Sequence, residues 1–361
     1  MNKKPFDTVE LKNLKLKNRF IRSAIWEGMA DPEGFVTEEL INFYKELAQG
    51  GVGTIITGFA NIVEYDKPAN NMIGVYEDKF IDGLSKLVEE VHKYNCKIFL
   101  QLVVGGSQGR PGNSKKVVGP SAHLHPVTKQ EAQELTVEEI LDLQEKFKEA
   151  AIRAKKAGFD GVEIHGAHGY LLSQFMNPLF NKRKDTYGGS IENRSKFLIE
   201  TYEKIRKEVG GDYPVYVKLN SEDYVEGGAT QEEMLWVSQE LAKKGIDLIE
   251  VSGGSVVSRR NEGVIRVAIK SIEDEGYFLD FGKKLSDLIE TPVSLVGGIR
   301  SFEKVESILK DTKIKFISLA RPLICEPDLI NKWESGDISK STCKSCNGCL
   351  NPKGSRCIFR K

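Results

Sequence analysis

Short apolar runs alternate with longer amphipathic segments from one end of the chain to the other. Eight runs, at residues 20–25, 53–57, 97–103, 161–164, 215–220, 248–251, 293–296 and 316–319, are nearly continuous in apolar residues. That is the pattern of parallel strands buried on both faces. Between them, apolar positions recur at helical spacing over residues 37–49, 78–94, 136–156, 191–209, 230–244 and 301–310. Thr136 ahead of Glu138 and Glu139, and Thr230 ahead of Glu232 and Glu233, read as N-terminal caps. Gly50, Gly158 and Gly245 read as helix stops just before the next strand. Eight β/α alternations without a Pro-, Gly- or Ser-rich linker predict one (β/α)8 TIM barrel over residues 1–335 rather than two nucleotide-binding halves. Residues 336–361 are expected to form a short Cys-rich C-terminal extension.

Composition narrows the function classes. Among 361 residues, 52 Lys and Arg balance 52 Asp and Glu. That balance argues against nucleic-acid or membrane-surface binding, both of which draw on a basic excess. Apolar runs are strand-sized, too short for a membrane-spanning helix. The first eighteen residues are polar and Lys-rich, unlike a signal peptide. A cytoplasmic protein acting on small molecules is expected, and a homo-oligomer is compatible with the sequence. Cys96 and Cys325 stand alone, whereas Cys343, Cys346, Cys349 and Cys357 crowd the tail. Such a cluster suggests a metal site or reduced thiols more than disulfides.

A barrel of this kind presents functional groups at the C-terminal ends of its strands. The fourth strand delivers His165, His168 and Tyr170 within six residues, enough to polarise a carbonyl oxygen and give a proton to a neighbouring carbon. Gly297-Gly298 after the seventh strand and Ala320-Arg321 after the eighth fall where barrels hold phosphate, with Ser301 expected to cap the next helix toward the same point. Tight turns alone would also call for those glycines. Lys218 interrupts an apolar strand, VYVKLN, and needs an anionic or strongly polar partner. It would serve either the N1–C2=O edge of a flavin, with Gln101 on the same pyrimidine edge, or an inward carboxylate such as Glu163. A flavin-free aldolase or isomerase would instead use Lys218 as a Schiff-base amine.

The segment HGAHGYLLSQFMNPLFNKRKDTYGGSIENR resembles the signature of the Old Yellow Enzyme family of FMN-dependent NADH:flavin oxidoreductases and ene-reductases. LKNRFIRSAIWEG, FLQLVVGGSQGR, VYVKLNSEDY, VSGG, VGGIRS and ISLARPLICEPDL extend the resemblance over residues 5–333. It implies non-covalent FMN, contacted through backbone by Ser23, Ala24, Ile25, Trp26, Gly58 and Phe59. Gln101 and Lys218 would bind its ring, and Gly297, Gly298, Ala320 and Arg321 its phosphate. His165 and His168 would bind a substrate carbonyl or a phenolate, with Tyr170 as proton donor. The implied reaction passes hydride from NAD(P)H to flavin N5, then to the β-carbon of an activated alkene such as an enone, while Tyr170 protonates the α-carbon. Two positions depart from the family. Trp26 stands where a Thr or Cys often bonds the flavin, and Gly28 where some members place Tyr; both bear on substrate range. The segment 104–135 reads as a substrate-facing loop or lid.

The spacing Cys343-x2-Cys346-x2-Cys349-x7-Cys357 admits a [4Fe–4S] cluster, a Zn(Cys)4 site or free thiols. Larger members of the family carry a cluster just after the barrel, at a different spacing and with nucleotide-binding domains not found in this sequence. A non-enzymatic iron–sulfur or zinc redox partner is therefore the remaining reading.

Overall fold

The computed structural model describes residues 3–109, 114–351 and 354–360. Eight parallel strands close into a barrel: β1 (Phe20–Arg22), β2 (Thr54–Asn61), β3 (Lys97–Val103), β4 (Gly161–Gly166), β5 (Val215–Asn220), β6 (Leu248–Ser252), β7 (Val293–Leu295) and β8 (Phe316–Leu319). Neighbours in sequence are neighbours in the barrel, and β8 closes on β1 through Ile317↔Phe20 and Leu319↔Arg22. Nearly every strand residue is buried, as expected when helices cover the outside and side chains fill the inside.

The lower end of the barrel is sealed. An antiparallel hairpin, Val9–Leu11 with Leu14–Leu16, places Leu11 and Leu16 against Ile21, Ile56, Phe99, Tyr216, Leu248 and Phe316. Phe99 and Tyr216 stack there with ring centroids 4.2 Å apart. Polar groups higher in the barrel are therefore cut off from water below and open only toward the C-terminal face.

The helices follow the expected pattern with two informative differences. Full capping boxes form at Thr136 and Thr230. Ser301 stands at the N-cap of Phe302–Asp311 but does not cap it; its hydroxyl donates to Glu275 Oε1 at 2.8 Å. The helix expected over 191–209 is broken at Ser195 into Ile191–Arg194 and Lys196–Val209. β2 runs beyond its expected end through an irregularity between Ile56 and Phe59, so Gly58 and Phe59 lie inside the strand rather than after it. The segment after β3 carries small strands at Val118–Gly119, His123–Leu124 and Glu131–Glu134, and its residues 110–113 lie outside the described residues. Among the described residues, no helix is long and apolar enough to cross a membrane.

Candidate active site

The C-terminal ends of the strands open into a cavity of about 290 Å3. His165, His168 and Tyr170 line one side; Ser23, Ala24, Ile25, Trp26, Phe59, Gln101 and Lys218 line the floor and flank; Gly298, Ala320 and Arg321 line the far side. Two expected residues do not reach its wall. The Gly58 N–H is committed to Glu27 Oε1 (2.5 Å) and the Tyr44 hydroxyl (2.8 Å). The Gly297 carbonyl accepts from the N–H groups of Gly276 and Tyr277 behind the wall.

The histidine side is built on a tight turn. After β4 the chain bends through His168 (φ 64°) and Gly169 (φ 77°). A Cβ at Gly169 would meet Ser255 Cβ at 2.9 Å, so the second position admits only glycine. His168 bears the same left-handed backbone with a full side chain, a conformation that must be held in place. Its N–H donates to Asn220 Oδ1 at 3.1 Å, its carbonyl accepts from Gln108 Nε2 at 2.8 Å, and its Nε2 lies 2.7 Å from Ser252 Oγ. Asn220 is itself fixed by donating Nδ2 to Asp223 Oδ1 at 2.9 Å. Asp223 is pushed up to about 6 by burial, opposed by hydrogen bonds from the Ala229 N–H and Asn220.

His165 is buried, and its Nδ1 accepts from the Ala167 N–H at 3.3 Å, which leaves its hydrogen on Nε2. Burial, then His168 and Lys218, hold His165 well below the usual imidazole range; burial and Lys218 do the same to His168. Both imidazoles are thus neutral donors near pH 7. The Tyr170 ring lies 4.8 Å from the His165 ring and 5.4 Å from that of Phe59, edge-on to each. Replacing Asn220 by Ala strips the acceptor from the His168 N–H. The expected result is a loss of about tenfold in kcat/KM, within the ~1–3 kcal/mol of a hydrogen bond left unmade, at unchanged cofactor content.

On the floor, Lys218 Nζ sits 2.6 Å from Glu250 Oε2 and donates to Ser23 Oγ at 2.9 Å. The carboxylate partner is therefore Glu250 and not Glu163, which instead accepts from Gln101 Nε2 at 2.6 Å. Trp26 turns its indole outward, donating Nε1 to the Asn70 carbonyl at 2.8 Å. The indole covers Gly28 (φ 68°), where a Cβ would meet Trp26 Cζ2 at 2.8 Å. The two departures noted in sequence are thus one feature: the large ring at 26 excludes a side chain at 28.

On the far side, Gly298 (φ 72°) presses on Tyr277, whose Cε1 would lie 2.8 Å from an added Cβ. The N–H groups of Gly298 and Ile299 have no acceptor among the described residues. Arg321 donates NH1 to the Arg266 carbonyl (2.9 Å) and to Asn347 Oδ1 (2.7 Å). That asparagine belongs to the tail, which lies along the barrel rim. The Ser341 N–H donates to the Arg300 carbonyl at 2.9 Å, Ser355 Oγ donates to the Trp26 carbonyl at 2.5 Å, and Ser345 and Leu350 enter the cavity wall.

Among the described residues, no three His, Cys, Asp or Glu side chains gather as a metal site. The cysteines nevertheless lie near one another on the rim, Cys343 and Cys357 acting electrostatically on both Cys325 and Cys349. Cys343 and Cys349 are buried, Cys346 is exposed, and Cys357 Sγ lies 3.5 Å from Cys325 Sγ.

Sequence reading also passed over residues that shape the site. Glu250 sits in the apolar strand LIEVS as Lys218 sits in VYVKLN, and the two are register partners; a second charge in a buried strand was the available signal. Asn220 ends the same strand as Lys218, and nothing local marks it as the partner of His168. Asp223, Tyr277 and the cavity-lining Val256, Val264 and Ile265 lie in loops with no periodic pattern to place them.

A parallel barrel that gathers paired histidines, a tyrosine, a buried lysine and an arginine at its C-terminal face is an arrangement suited to a flavin-dependent oxidoreductase. Over residues 4–339 the chain matches the NADH:flavin oxidoreductase / NADH oxidase family, and it belongs to that family, the one its sequence motifs resemble. It is 35% identical to an NADH oxidase of Thermoanaerobacter brockii over 96% of this chain and 53% of the relative. It is 36% identical to an NADPH dehydrogenase of Clostridium acetobutylicum over 90% of this chain and 92% of that one. A solved structure of 2-naphthoyl-CoA reductase with 2-naphthoyl-CoA matches with a TM-score of 0.88 and 29% identity, over 95% of this chain and 54% of that one. The chain thus spans about half the length of several proteins it matches.

FMN and NAD(P)H are the cofactor and reductant of the family. The site fits FMN on its own chemistry. Two unpaired backbone N–H groups and the Arg321 guanidinium suit a phosphate, and Lys218 and Gln101 offer donors to a pyrimidine edge.

Proposed function

We propose that this barrel is an NAD(P)H-dependent ene-reductase that reduces activated C=C bonds of α,β-unsaturated carbonyl compounds, taking reductant and substrate in turn on one face of the flavin. The neutral histidine pair beside Tyr170 carries the reading. Bound FMN supplies two-electron hydride chemistry. His165 Nε2–H and the His168 ring donate to the substrate carbonyl oxygen, where negative charge builds as the alkene accepts hydride. Neutral donors suit this task, because each offers a hydrogen without having to give it up. Tyr170 delivers its phenolic proton to the α-carbon. The outward-turned Trp26 and the loop residues Val256, Val264 and Ile265 give the substrate an apolar enclosure. All six cysteines are unpaired, which suits a reducing, cytoplasmic setting.

Anaerobic purification followed by an absorption spectrum and turnover with enones, nitroalkenes and enoyl thioesters tests the proposal. A flavin band near ~450 nm and NAD(P)H-dependent loss of the alkene are expected. A colourless protein, or a yellow one that reduces none of these alkenes, would sink it.

A further inference from the structure

The polar layer beneath the cavity holds one more charge than its lysine can balance. Glu163 on β4, Lys218 on β5 and Glu250 on β6 stand on three adjacent strands, each at most 1% exposed. The Leu11–Leu16 hairpin and the stacked Phe99 and Tyr216 seal the barrel below them. Lys218 contacts Glu250 Oε2 at 2.6 Å. Glu163 Oε2 takes the Gln101 amide at 2.6 Å. Glu163 Oε1 and Glu250 Oε1 are buried without any donor among the described residues. Two ionised carboxylates sealed beside one ammonium would leave an uncompensated buried charge, which a proton on one of them removes. Burial, and next the charge of Glu250, push Glu163 up, in the direction of holding that proton.

We infer that Glu163 and Glu250 act as one unit carrying a single proton and a single negative charge, and that this unit is the positioning device for Lys218. Its work is to hold the ammonium against Ser23 at the cavity floor while keeping the layer neutral overall. The unit adapts: with either carboxyl gone, the other is left to serve as counterion. This inference rests on the flavin reading only for what Lys218 then contacts.

The test is the set Glu163→Gln, Glu250→Gln, the double variant, and a triple variant that adds Lys218→Met. FMN dissociation constants are measured on reconstituted protein, and thermal unfolding on the flavin-free protein. Glu163→Gln replaces a neutral acid with a neutral amide and is expected to weaken FMN by less than about threefold, since it leaves the ion pair intact. Glu250→Gln pulls Lys218 from Ser23 toward Glu163 and is expected to weaken FMN by about tenfold. The double variant strands a buried ammonium, and its loss should exceed the product of the single losses by at least about tenfold, because contacting residues couple. Failure of the double variant to fold, with the triple variant folding, is the same signature read in stability. A double variant whose loss equals the product of the singles would overturn the shared charge, as would Glu163→Gln proving as damaging as the double. If wild-type protein binds no FMN, the flavin reading fails, and the unfolding series still decides the inference.

Discussion

Replacing Tyr170 by Phe is expected to slow reduction of an enone by ~10²- to 10⁴-fold, the range of a positioned proton donor. Reduction of bound flavin by NAD(P)H should meanwhile change by no more than about twofold, because that half-reaction consumes no proton from Tyr170. The substitution removes one hydroxyl and keeps the ring, so the edge-on packing against His165 and Phe59 survives. Stopped-flow measurement of the two half-reactions separates the outcomes. Equal losses in both would refute the proton-donor role and point to a distorted cavity. Tyr170 reaches its place as the N-cap of the helix Leu171–Met176, directly after the left-handed pair His168 and Gly169. Its position is therefore set by backbone geometry.

The second large effect is expected from His165→Ala, a loss of ~10²- to 10³-fold in kcat/KM for the alkene, as for removal of one donor to a developing oxyanion. A phenol that binds through the same donors should lose affinity in parallel, readable by titration against the flavin spectrum. An unchanged phenol affinity would remove His165 from the substrate side.

The same residue predicts a pH dependence of stability. Burial depresses the folded-state value of His165, so the neutral imidazole belongs to the fold and the unfolded chain takes up the proton first. Its contribution is complete above the unfolded value near ~6.5 and is lost as pH falls below it, with a slope of up to ~1.4 kcal/mol per pH unit. His165→Ala should flatten the fall in stability between about pH 6.5 and 5, measured by denaturant unfolding. His168 is held neutral in the same way and keeps its own part of the slope in that variant. A slope identical to that of the unaltered protein would contradict the neutral buried imidazole.

The sites accessible to sequence reading and those missed differ in physical kind. His165, His168 and Tyr170 cluster within one loop, and local chain geometry alone brings them together. Lys218 and Gln101 were found because a polar group in a buried strand is costly and therefore conspicuous. Glu250 shows the same signal, yet its meaning depends on which strand it faces, and only β5–β6 pairing supplies that. Gly297 is expected at the site because it follows a strand, and Gly58 because the resemblance implies it. A β2 irregularity and the Gly276–Tyr277 contact moved them behind the wall. Trp26 and Gly28 read as two unrelated departures until the indole was seen lying on the glycine.

By itself, the sequence determined the barrel and the chemical inventory at its rim. Continuous apolar runs, helix caps and glycine stops act over a few residues, and eight repeats of one β/α unit leave closure as the economical topology. Tertiary structure decided what the inventory is connected to. It gave Lys218 to Glu250, braced His168 through Asn220 and Asp223, and laid the cysteine tail along the rim against Arg321. Each of these joins residues far apart in the chain through contacts of a few ångströms. Side-chain hydrogen bonds and ion pairs of that range depend on barrel register and loop path, which no local pattern encodes.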